Sequence, residues 1–193
     1  MRNRDTVRFY WSFRSPYAWF AVHRVEAMLR GLPVELHWIP VFPPPDMSNN
    51  PTNVPAKIRY IWEDSQRFAD AYGLEFKTPE QVDTDWLRPH TAFLYAEAEG
   101  RGPDFAKEAF AARFSRGEDL ASDPVLARVA SQVGLASDRL ISAADDSGFR
   151  ERLGQGFAAA AGDAIFGVPT FIYRDQMFFG NDRLEWLVKA IEP

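Results

Sequence analysis

From Val7 to Phe13 the chain alternates: Val7, Phe9, Trp11 and Phe13 are apolar, with Arg8, Tyr10 and Ser12 between them. A period of two is that of a strand with one buried face. The pattern stops at Arg14-Ser15-Pro16, where Ser15 is a good N-cap and Pro16 a favoured first helical residue. A helix is therefore predicted there, carrying Trp19, Phe20, Val22, Val25, Ala27 and Met28 as far as Gly31. Leu32 to Pro40 returns to strand periodicity, with Val34, Leu36 and Trp38 alternating against Glu35 and His37. The other end reads differently. Pro169 cannot donate to a sheet ladder, so it opens a strand, Thr170 to Tyr173, rather than sitting inside one. Arg174-Asp175-Gln176 turns the chain, and Met177 to Phe179 runs back as an antiparallel partner. Asp182, three residues before Glu185 and ahead of Leu184, Trp186, Leu187, Val188 and Ile191, predicts a capping-box start to a last amphipathic helix.

The middle of the chain changes character. Pro43-Pro44-Pro45 is a stiff extended connection, and Ser48-Asn49-Asn50-Pro51 a polar loop. From Pro55 to about Gly162 the periodicity is helical. One helix runs from Pro55 to Tyr72 and stops at Gly73, and a second from Pro89 to Glu99. A third carries Phe105, Ala109, Phe110 and Phe114; Asp123 and Ser137 are candidate N-caps of two shorter ones; Phe149 to Ala161 is the last. A β-α-β head and a β-β-α tail that opens on a proline expected in cis make an α/β chain with a thioredoxin-like fold. A large all-helical insertion separates its βαβ and ββα halves. The expected division is 1–45 plus 163–193 for the thioredoxin-like domain and 46–162 for the helical one.

Composition narrows the chemistry. The 193 residues are 46% hydrophobic and 15% aromatic, enough for a substantial core. A net charge of -5 with mixed signs offers no basic stripe for nucleic acid and no polybasic patch for a membrane. No signal-peptide pattern and no run of membrane-spanning length is present, so the expected location is cytoplasmic. The chain has no cysteine, so any sulfur nucleophile must come from a cofactor. His23, His37 and His90 lack metal-ligand spacing; they read as structural or surface residues, with no metal site.

Three motifs in order carry a resemblance: Ser15-Pro16-Tyr17 after an aromatic strand; Pro55-Ala56-Lys57 followed by Arg59-Tyr60; and Gly167-Val168-Pro169-Thr170 leading to Gly180-Asn181-Asp182-Arg183. Across almost its whole length the chain resembles the 2-hydroxychromene-2-carboxylate isomerases and their relatives, the kappa-class glutathione transferases. The resemblance implies glutathione as cofactor, a small aromatic substrate and a homodimer. It implies that Ser15, as catalytic residue, holds the glutathione sulfur, and that Val168 and Pro169 hold the cysteinyl backbone. Asn181 and Asp182 would take the γ-glutamyl end, and Asn49 and Lys57 the substrate.

Each of these residues also has a simpler reading. Ser15 caps a helix, Pro169 protects a sheet edge, Asp182 caps the last helix, and Asn49 and Lys57 face solvent. One departure stands out: the 43–46 segment has no lysine, where the resembling isomerases place one for substrate. Three functions remain open on sequence alone. They are a glutathione-dependent isomerase, a glutathione transferase of kappa type, and a non-catalytic glutathione or small-molecule binding module.

Overall fold

The computed structural model describes residues 5–42 and 53–192. Four strands form one mixed sheet in the order β2-β1-β3-β4: β1 (Asp5–Trp11), β2 (Val34–Pro40), β3 (Thr170–Tyr173) and β4 (Gln176–Phe179). β1 runs parallel to β2 and antiparallel to β3, with Phe9 opposite both Trp38 and Phe171. Phe9 stacks on Phe171 with centroids 4.5 Å apart and meets Trp38 edge-on. Such aromatic pairs contribute about 0.5–1.5 kcal/mol each beyond their burial. The alternation in β1 sends Val7, Phe9 and Trp11 to one face and Tyr10 to the other, and all four are fully buried.

Helix α1 (Pro16–Met28) and the final helix, α8 (Leu184–Ile191), pack together on the face that holds Phe9 and Phe171. Between β2 and β3 lie α2 (Pro55–Tyr72), α3 (Leu87–Ala98), α4 (Gly102–Phe114), α5 (Asp123–Gln132), α6 (Ser137–Ala144) and α7 (Ser147–Gly162). Through Phe157 and Ala160, α7 covers the opposite face of the sheet, against Tyr10 and Ile172. The helical insertion is thus wrapped around the sheet, and Trp11 and Phe13 carry the sheet core into it through Phe93, His90 and Phe110. Among the described residues no helix is long and apolar enough to cross a membrane.

Four local expectations shift. β1 ends at Trp11 and not at Phe13, because Phe13 donates its backbone N–H to His90 Nε2 (3.1 Å) and not to a strand. α1 ends at Met28, short of Gly31, whose φ of 85° closes the following turn. The caps of α5 and α6 are Ser122 and Ala136, each one residue before the expected Asp123 and Ser137. Ser137 instead donates to the Ala127 carbonyl, and Asp123 accepts from Arg88. The capping box before α8 does not form. Asn181–Arg183 is a 3-10 turn, Asp182 pairs with Arg183 at 3.3 Å, and Glu185 is drawn off to Arg24.

Candidate functional site

The first group is Ser15. Its hydroxyl accepts from the Ala18 N–H at 3.2 Å, capping α1, and donates to the Val168 carbonyl at 3.4 Å. The turn that presents it is built from inside: Ser15 N–H bonds the Ser12 carbonyl, Arg14 N–H bonds Ser12 Oγ, and Phe13 N–H bonds His90. His90 Nδ1 lies 2.6 Å from the Trp86 carbonyl, which can only accept, so Nδ1 carries the proton and Nε2 is free to accept. Complete burial holds that imidazole neutral, its pKa lowered to about 3. The histidine read as structural or surface is structural, and it props the turn under Ser15.

On either side of Ser15 lie side chains paired to carboxylates. Arg14 bonds Asp83 through Nε (2.5 Å) and Nη2 (3.1 Å), and this holds the Asp83 carboxyl below its ordinary value. Tyr17 donates to Asp64 on α2 at 2.9 Å; burial, with the carboxylate beside it, raises the phenol pKa. That bond and the Tyr17–Phe68 contact seat α2 on the first turn of α1.

The second group is Val168. Its peptide bond to Pro169 is cis, and its carbonyl faces the Ser15 hydroxyl. The Pro169 carbonyl accepts from Gly180 N–H at 2.9 Å, which brings the Asn181 turn alongside. Gly180 has φ 117°, ψ 150°, a region essentially reserved for glycine, and a Cβ there would stand 2.5 Å from Asp182 Oδ1.

The third group is Asn181. It is 3% exposed, and its Nδ2 has no hydrogen-bond partner. Asp182, next to it, is exposed. A buried amide donor left unmade costs about 1–3 kcal/mol.

Ser15, Val168, Pro169, Asn181 and Asp182 therefore converge on one side of the sheet end. Lys57 is exposed on the first turn of α2, and no contact among the described residues ties it to Ser15. Asn49 lies outside the described residues. Sequence reading missed Arg24, His90 and Asp64 as supports of the site. A buried-histidine pattern offers no periodic signal, and Arg24 and Asp64 read as ordinary helix-surface charges. Among the described residues no cluster of three or more His, Cys, Asp or Glu gathers as metal ligands.

This arrangement of sheet, inserted helices and cis-proline facing a helix start defines a thioredoxin-type domain of the DsbA kind. The sequence pattern of the DSBA-like thioredoxin domain matches residues 6–192, and the chain belongs to that family. Within it, the chain is similar to the 2-hydroxychromene-2-carboxylate isomerase of Pseudomonas putida, 29% identical over 96% of this chain and 93% of the relative. A solved 2-hydroxychromene-2-carboxylate isomerase has the same fold, with a TM-score of 0.83 and 24% identity over 96% of this chain and 93% of the other. A probable DsbA oxidoreductase of Streptomyces coelicolor superposes with a TM-score of 0.80 and 19% identity, over 97% of this chain and 88% of that one. Having no cysteine, this chain cannot itself run dithiol exchange.

Proposed function

We propose that this protein is a glutathione-dependent isomerase of the 2-hydroxychromene-2-carboxylate type, acting on a small conjugated aromatic substrate. The observation that carries the reading is a serine hydroxyl at the start of α1, facing the Val168 carbonyl, in a chain without cysteine. The position suits a thiol, and the chain has none to offer.

The donor set fits glutathione. A 3.4 Å hydrogen bond is at the weak end of the range, so Ser15 can turn its hydroxyl from Val168 to a ligand sulfur at little cost. The start of α1 adds a positive field that favours thiolate over thiol. Lowering a free thiol pKa of about 8.5 by one unit takes the thiolate fraction at pH 7 from roughly 3% to roughly a quarter, for about 1.4 kcal/mol. The Val168 backbone is offered to the cysteinyl peptide groups as a strand would be. Asn181 Nδ2 gains the acceptor it lacks from the γ-glutamyl carboxylate, and Asp182 takes the neighbouring ammonium.

When bound, glutathione supplies a thiolate that adds reversibly to a carbonyl-conjugated double bond and leaves again after rotation, returning unchanged. Ser15 holds that sulfur ionised, while Lys57 and Asn49 anchor or polarise the substrate's oxygens.

The test is a spectrophotometric assay of a hydroxychromene carboxylate or an arylidene pyruvate, with and without glutathione. Isomerisation that requires glutathione and leaves its concentration unchanged supports the reading. Glutathione-independent turnover sinks it. Stoichiometric conversion of glutathione into a stable conjugate makes the protein a kappa-type transferase instead, and binding without turnover of any electrophile makes it a binding module.

A further inference from the structure

The turn that carries Asn181 is gripped by a side chain from another element. Arg24, on α1, donates from Nη1 to the Asn181 carbonyl at 3.4 Å and to the Tyr72 hydroxyl at 2.9 Å, and its Nη2 pairs with Glu185. Its guanidinium also lies over the Tyr72 ring, 4.9 Å from the centroid. The last residue of α2 and the first turn of α8 thus meet on one planar, rigid fork. Two of its neighbours, Tyr72 and Glu185, fix the plane of that fork, and the remaining contact then fixes the carbonyl of Asn181.

The grip also bears on Asn181, which is buried with its amide nitrogen unpartnered, an arrangement that weakens the fold unless a binding partner completes it. Arg24 does not supply a free charge for a ligand, because Glu185 takes it up. What Arg24 supplies is geometry. Ser15 caps the same helix, and at a rise of 1.5 Å per residue the two positions are about 13.5 Å apart along its axis. A single rigid helix thus carries both the Ser15 hydroxyl and the side chain that grips the Asn181 turn.

We propose that Arg24 is a positioning residue, which fixes the Asn181 turn relative to Ser15 so that the amino-acid end and the sulfur end of one ligand are held at once. The proposal rests on the reading of the site as a glutathione site and deepens it.

Calorimetric titration of the whole chain with glutathione tests it, with thermal melts run on every variant. Arg24→Gln should weaken binding about tenfold, and Arg24→Lys, which keeps one donor for the carbonyl, should return it to within about threefold of wild type. In an Asn181→Ala background the same Arg24→Gln change should cost less than about twofold, since there is no amide left to aim. Binding of Arg24→Gln within about twofold of wild type overturns the proposal, as does an equal loss with and without the Asn181 side chain. If Arg24→Gln fails to fold, Tyr72→Phe removes one brace and keeps the guanidinium. It should then weaken binding about threefold in the wild-type background and leave Asn181→Ala unchanged. A wild-type chain that does not bind glutathione brings down the site reading together with the proposal. A wild-type chain that binds, with Arg24→Gln unchanged, brings down the positioning role alone.

Discussion

The two ends of the site are built on opposite terms. At Ser15 the hydroxyl is engaged within the protein, accepting from Ala18 and donating weakly to Val168. At Asn181 the amide is buried, yet its Nδ2 has no partner. An engaged group contributes to folding and redirects a weak bond to act; an orphaned one costs folding and gains on binding. On the proposed reading, the Ser15 end acts on the state of a ligand's reactive atom and the Asn181 end holds the ligand in place.

That contrast is sharpened first by Ser15→Ala. Turnover should fall about a hundredfold, equivalent to about 2.7 kcal/mol, while glutathione affinity changes less than about threefold. The lost cap should lower stability by about 1 kcal/mol, read from chemical denaturation. An equal loss in affinity and turnover would erase the difference between the two ends. Next is the backbone that separates Asn181 from Pro169. Gly180→Ala forces an L side chain to φ 117° and into Asp182, and should cost about 1–3 kcal/mol in the same denaturation experiment.

Asn181→Ala should weaken glutathione about tenfold, or about 1.4 kcal/mol, with little loss of stability, because the amide nitrogen it removes has no bond to lose. A large drop in melting temperature with unchanged affinity would reverse the assignment of that end. Asp182→Ala should weaken binding by a smaller factor, since that carboxylate is exposed and already paired with Arg183.

A further test concerns the turn under Ser15 and is read as stability against pH. His90 has a folded pKa of about 3, depressed below its ordinary value by burial. A depressed folded value means that the stability is present above pH 6.5 and is lost as pH falls from there toward the folded pKa. One group of this kind contributes a slope of at most about 1.4 kcal/mol per pH unit. His90→Gln can keep a carbonyl oxygen to accept from Phe13 N–H but does not titrate. Its stability should be lower at pH 7 and flatter between pH 6.5 and 4. An unchanged slope would place the acid sensitivity elsewhere.

The strands and the order of the helices were legible because each leaves a local mark: alternation in β1, an N-cap and proline before α1, a proline before β3; the cis bond followed from the fold these elements make. The position of Ser15 was legible for the same reason. The capping box at Asp182 and Glu185 was legible and did not form, because a local preference worth about 1 kcal/mol was outbid by Arg24, a partner from another helix. Arg24, the His90–Phe13 bond and the Tyr17–Asp64 bond left no local mark, since these partners lie from 47 to 161 positions apart in the chain. What a linear reading loses is support from a distance. Asn49, meanwhile, falls outside the described residues.

The bond between Ser15 and Val168 joins residues 153 positions apart, and β1 has no antiparallel partner until β3 exists. A nascent chain emerging from the ribosome can therefore fold its helices long before it can close its sheet. Contacts of such long separation are slow to form, and an unpaired β1 edge meanwhile exposes the aromatic residues that later meet Phe171. Ligand-binding competence should thus appear late in synthesis, only once nearly the whole chain is available, and chains halted before Thr170 should be captured by chaperones as a helical body with an open edge.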